Sequence, residues 1–195
     1  MKKLTLDILD SISPEYAQYQ GILPFTARYN EYTSQFSLNN QAWENHFNSI
    51  AAITFNWQEI KYGDVVNRTV KIDDVIPDTI GVYLFIVRPI NLVNNLPKYV
   101  YYVGIAGANG SNRALKDRLK DYFAESQLKK RDSVRILIYK HYENVFINYS
   151  SITLPVGTTI EQIEKSLIGF FGTHLLANRD DIPVELQPQG KAFNI

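Results

Sequence analysis

Five side chains of this sequence have the types and the order that phosphodiester chemistry needs. Tyr83 ends the triplet Gly81-Val82-Tyr83, Tyr102 opens Tyr102-Val103-Gly104, and Arg118, Glu164 and Asn178 follow. Two phenols, a guanidinium, a carboxylate and an amide are the set that metal-assisted phosphodiester hydrolysis would use. The planar fork of Arg118 can hold a phosphate through two hydrogen bonds and meet charge that grows in a transition state. Glu164 lies within an apolar helical stripe, with Ile160, Leu167, Ile168 and Phe171 on one side and Ile163 and Phe170 on the other. A carboxylate there is costly unless it is paired or binds a metal. One carboxylate, waters and a substrate phosphate are how Mg2+ is usually held, and Mn2+ suits the same oxygen ligands. Such an ion would act as Lewis acid and activator of water.

Each residue also has a plainer reading. The chain has 13 tyrosines, so either phenol alone could belong to a core or a sheet surface. Arg118, beside Lys116 and Lys120, could face solvent. Glu164 could pair with an arginine, Arg118 included. Asn178 could end a helix, because Asn tolerates the left-handed conformation there. His174, one turn before Asn178, reads as structural.

Strands and helices must position this set. Ile80 to Val87 is apolar, β-branched and aromatic and predicts a strand; Tyr99 to Ile105 predicts a second. Residues 88–97 form a polar connection between them, giving a β-hairpin with a long loop. Gly104, Gly107 and Gly110 predict a tight turn that also lets a substrate backbone approach. No Gly-Lys-Ser/Thr follows, so a phosphate loop is not indicated. A helix is predicted from about Arg113 to Ala124, capped by Ser111 or Asn112, with Arg118 and Tyr122 sharing a face. Ser133 to His141 reads as a third strand, and Asn144 to Ile152 extends the sheet. A long helix runs from Thr158 or Thr159 to Ala177, with Thr158 and Glu161 as a capping box; Glu161 pairs with Lys165 on its surface. Before residue 76 the pattern is mixed, with a helix over 40–50 and short β-like runs at 51–60 and 69–75. The expected architecture is α/β (α+β): a small, mostly antiparallel sheet flanked by helices. Residues 1–75 are an N-terminal extension for binding, dimerisation or regulation, and 76–195 the catalytic domain.

Composition narrows the class. Formal net charge is zero, with 20 Lys+Arg against 20 Asp+Glu, which argues against non-specific coating of nucleic acid. The charge is uneven, however: residues 1–75 lean acidic and 113–140 basic. Arg113, Lys116 and Lys120 in that run are candidate substrate contacts, with Gly104 and Gly107. Cysteine is absent, so disulfides and thiolate metal sites are excluded. Asp7 and Asp10 interrupt the apolar run at the N-terminus, and no apolar stretch has membrane-spanning length. A cytoplasmic protein with no membrane partner is expected.

The ordered set resembles the GIY-YIG nuclease family over roughly the last two-thirds of the chain. Arg118-Leu-Lys-Asp-Tyr122-Phe is similar to its excision-repair incision nucleases, where tyrosine follows the arginine by one helical turn. Glu164-Lys-Ser-Leu-Ile looks like the family's metal-binding segment. The resemblance implies that Tyr83 and Tyr102 line the site, with Tyr102 as base for the attacking water. It further implies that Glu164 holds the metal and that Asn178 orients the site. An endonuclease is thus expected, acting on DNA more than RNA. One site cuts one strand, so double-strand cleavage would need a homodimer or two binding events; a regulatory protein partner is the other use for residues 1–75. The chain departs from the pattern in three places. Residues 89–97 lengthen the hairpin, valine replaces isoleucine in both triplets, and Ile105 stands where a lysine often follows. The rival readings are a catalytically inactive nucleic-acid or protein-binding module of the same shape, and an unrelated nucleotide-binding α/β domain.

Overall fold

In a computed structural model, the described residues are 40–88, 98–171 and 178, together with Ile8 and Ser11. Four strands build one sheet: β1 (Gln58–Lys61), β2 (Gly81–Val87), β3 (Tyr99–Ala106) and β4 (Val145–Ser151). The order is β1-β4-β2-β3 and every pairing is antiparallel. The molecule is therefore a mixed α/β protein with a small antiparallel sheet flanked by helices, as the pattern predicts. The connection 89–97, the helix end at 172–177 with His174, and the tail after 178 lie outside the described residues.

The period of two along the strands sorts side chains to opposite faces. Val82, Leu84, Ile86, Val103 and Ile105 form one cluster with Ile160, Ile163, Leu167 and Ile168. These last four come from α7 (Ile160–Phe171). Helix α1 (Asn40–Ile50) packs on α7, with His46 against Gly169 and Phe47 near Phe170. Tyr83, Phe85, Ile147 and Tyr149 form the other cluster, with Ile60, Tyr62, Leu115, Leu119, Tyr122, Leu137 and Ile138. That face is covered by short elements. They are α2 (Tyr62–Val66), α3 (Ile72–Val75), α4 (Leu115–Lys120), a 3-10 turn (Asp121–Phe123), α5 (Glu125–Leu128) and α6 (Asp132–His141). No described helix is long and apolar enough to cross a membrane.

Four local readings need correction. Residues 133–141 form α6, not a strand. Val134, Leu137 and Ile138 recur at helical spacing, and all three are buried, so period outweighs the β-branched content. Residues 72–75 form α3, not a strand, and the run at 51–60 contributes only β1 at its end. The helix predicted over 113–124 is shorter: α4 starts at Leu115 and gives way to the 3-10 turn at Asp121. Ala114 precedes it, with no side-chain cap, so neither Ser111 nor Asn112 caps it. The capping box of α7 is shifted by one residue: the Gln162 N–H donates to Thr159 Oγ1, and the Thr159 N–H donates to Gln162 Oε1.

The division at 75/76 runs through this architecture. β1 is hydrogen-bonded to β4, and Ile60, Tyr62, Val66 and Ile72 share the cluster that holds Tyr83.

Candidate active site

Tyr83 opposes Gly104 across the β2–β3 ladder, and Phe85 opposes Tyr102. The two tyrosines are thus diagonal neighbours on one face, not facing partners, with ring centroids 6.3 Å apart. Diagonal reach of this kind suits aromatic side chains. Two backbone features set the arrangement. A Cβ at Gly104 would collide with the Tyr83 ring at Cζ and the hydroxyl, so the close approach that this glycine permits is made by Tyr83. The register then slips between Phe85 and Ile86: Phe85 opposes Tyr102, while Ile86 opposes Val100. This bulge lets consecutive Tyr101 and Tyr102 both pack against the aromatic cluster, a re-aiming that bulges supply. Gly107 makes the turn itself, at φ 98°, a conformation that favours glycine.

Tyr122, on the 3-10 turn, completes the cluster. Its hydroxyl lies 2.8 Å from that of Tyr83, and it also acts on the Tyr102 hydroxyl. Tyr62 donates to the Tyr122 carbonyl at 2.7 Å, fixing the turn from α2. Arg118 Nε donates to Tyr83 Oη at 3.3 Å. Tyr83 and Tyr122 are fully buried, whereas Tyr102 and Arg118 keep part of their surface.

Burial pushes the phenols up, Tyr83, Tyr102 and Tyr122 alike. The Arg118 charge opposes this at Tyr83 and Tyr102. The tyrosines in turn raise Arg118, which stays a cation. Glu164 is half-buried on α7, with the buried Ile160 and Ile168 one turn before and after it. Its helix covers the aliphatic face, yet its negative charge raises Tyr83 and Tyr102 on the aromatic face.

Asn178 is buried, and its side chain is engaged with β3. Its Oδ1 accepts from the Val103 N–H and its Nδ2 donates to the Val103 carbonyl, both at 2.8 Å. The amide thereby imitates a neighbouring strand between Tyr102 and Gly104. Glu161 accepts from the Asn109 N–H at 2.5 Å, tying the turn after β3 to α7 in place of the pairing expected with Lys165.

Among the substrate-contact candidates, Lys120 meets Asp73 at 2.5 Å and Lys116 lies 3.8 Å from Asp78. Arg113 instead joins Asp121. Asp121, Arg131 and Tyr62 escaped the sequence reading. The one signal for Asp121 was a carboxylate inside a basic run.

A cation would find a modest donor set. No described group of three or more His, Asp or Glu residues is placed to hold a metal. One half-buried carboxylate, whose charge opposes ionisation of two phenols, does fit a hard cation completed by water and phosphate. No family model matches the chain, and no curated protein or solved structure matches it.

Proposed function

We propose that the chain is a metal-dependent endonuclease of the GIY-YIG type, hydrolysing phosphodiester bonds in DNA. The observation that carries this reading is the polar chain Arg118–Tyr83–Tyr122, with Tyr102 beside it and the Glu164 charge falling on both strand tyrosines. Residues from β2, β3, α4, the 3-10 turn and α7 supply, at one sheet edge, the parts that hydrolysis of a phosphodiester requires.

Tyr102 is the phenol with exposed surface among the three, so it is the one that can meet a water molecule. Tyr83 is sealed from solvent and accepts from Arg118 Nε, which leaves the outer nitrogens of the guanidinium for phosphate oxygens. Tyr122 is buried, and burial holds its hydroxyl well above the usual phenol range, so it keeps its proton and can donate toward a phenolate on either neighbour. In the step itself, water forms a bond to phosphorus in line with the ester oxygen that leaves. Tyr102 would first lose its own proton to solvent. The phenolate then takes a proton from the attacking water as the new P–O bond forms and the ester P–O bond breaks. The leaving oxygen takes a proton from solvent, and Arg118 meets the charge on the phosphoryl oxygens. When bound, Mg2+ or Mn2+ at Glu164 would cancel the carboxylate charge, polarise the phosphate and lower the pKa of water and of Tyr102.

Conversion of supercoiled plasmid to nicked or linear product, with Mg2+ or Mn2+ and with EDTA, tests the proposal. Metal-dependent cutting is expected. Binding to DNA without cutting under every divalent ion would favour the inactive binding module.

A further inference from the structure

Three arginines gather on one buried carboxylate beside the tyrosines. Arg113 Nη2 lies 2.7 Å from Asp121 Oδ1, Arg131 Nη2 2.7 Å from Oδ2, and Arg118 Nη1 3.9 Å from Oδ2. A buried acid alone would be satisfied by one guanidinium taking both oxygens. Here two take one oxygen each and a third stands near, so three positive charges face one negative.

The surplus is accessible. The Arg113 and Arg118 side chains are 44% and 31% exposed, and that of Arg131 is 17% exposed. The surplus is also fixed in place. Arg131 Nη1 donates to the Gln127 carbonyl at 2.8 Å, and its guanidinium lies over the Tyr122 ring at 4.9 Å from the centroid. Arg113 Nη2 also reaches the Asp117 carbonyl, at 3.4 Å. Cations already ordered bind an anion without losing that freedom again. Lys116 and Lys120 differ, since each faces an aspartate of its own.

We propose that Arg113 and Arg131, held by Asp121 beside Arg118, bind a second backbone phosphate of the nucleic-acid strand, flanking the one that Arg118 contacts. This inference rests on the nuclease reading. Asp121 is then a positioning residue: it aims three donors while leaving their charge uncompensated.

The test is the salt dependence of binding to a short DNA duplex in EDTA, paired with steady-state cleavage in Mg2+. For Arg113→Gln, the slope of log affinity against log salt should fall by about one. KM should rise while kcat stays near wild type, because flanking contacts bind ground and transition states alike. Arg131→Gln should move the slope the same way. Arg113→Gln carries the decision, since its side chain is the most exposed of the three and least tied to folding. An unchanged slope in a chain that still cuts DNA overturns the second phosphate site and leaves the nuclease reading standing. A wild-type chain that neither binds nor cuts DNA removes both.

Discussion

Along β2, Val82, Leu84 and Ile86 point to one side of the sheet, and Tyr83 and Phe85 to the other. The first side is aliphatic along β2 and at Val103 and Ile105 of β3, and is covered by α7, with α1 behind it. The second carries phenols and rings and is covered by short helices and turns. Both are buried, but they are held in different ways. Aliphatic packing is non-directional and follows area and fit. Each buried phenol must also find a partner for its hydroxyl, and Tyr62, Tyr83 and Tyr122 do so through one another and the Tyr122 carbonyl. The aromatic face therefore fixes where its phenolic oxygens sit, which aliphatic packing alone does not do. The proposed reactive centre lies on the former, and the charge of Glu164, on the helix that covers the latter, raises its two strand tyrosines.

The contrast can be broken at either face. On the aliphatic side, Leu167→Ala should cost about 2–5 kcal/mol of stability, read as a lowered denaturation midpoint. Cleavage by whatever fraction remains folded should keep its kcat. On the aromatic side, Arg118→Ala should lower kcat by roughly 10²–10³ with little change in the denaturation midpoint. If Leu167→Ala changed kcat as Arg118→Ala does, the separation of the two faces would be wrong. Gly104→Ala should do both kinds of damage. The added methyl meets the Tyr83 ring, overpacking that costs about 1–3 kcal/mol, and it displaces the Tyr83 hydroxyl from Arg118.

A smaller effect separates the faces by pH. Tyr62, Tyr83, Tyr102 and Tyr122 are all raised by burial in the fold. Their neutral forms are favoured there, so the stability they contribute is complete below the unfolded value of about 10 and is lost as pH climbs through the higher folded values. Thermal melts should show Tm falling above about pH 10. Tyr122→Phe, which removes one of these ionisations, should flatten that fall, while Leu167→Ala should leave its shape unchanged.

Much of the architecture was legible because it is periodic. β2 and β3 stand within a residue or so of their predicted bounds, and so does the fourth strand; the helix over 40–50 and the start of α7 also follow their apolar spacing. Residues 132–141 misled because Val134, Ile136 and Ile138 mimic strand alternation, while Val134, Leu137 and Ile138 obey the helical period that the core selects. The candidate site was legible as a cast of residues but not as a geometry. The bulge at Tyr101 exists only relative to β2, and Asn178 finds Val103 at a separation of 75 residues. Asp121 was hidden for the same reason: Arg113 and Arg131 lie eight and ten residues away, spacings that no single helix face would bring together.

In the proposed hydrolytic centre, Glu164 of α7 serves the tyrosines and Arg118 of the aromatic face. Plasmid cleavage in Mg2+ by wild type and Glu164→Gln, with matched circular dichroism and melting curves, tests it most directly. The substitution keeps the shape of the side chain and removes its charge. Wild type is expected to cut in a metal-dependent manner, and a Glu164→Gln chain that folds and melts as wild type does is expected to lose that cutting. Undiminished cutting by the folded variant would contradict it.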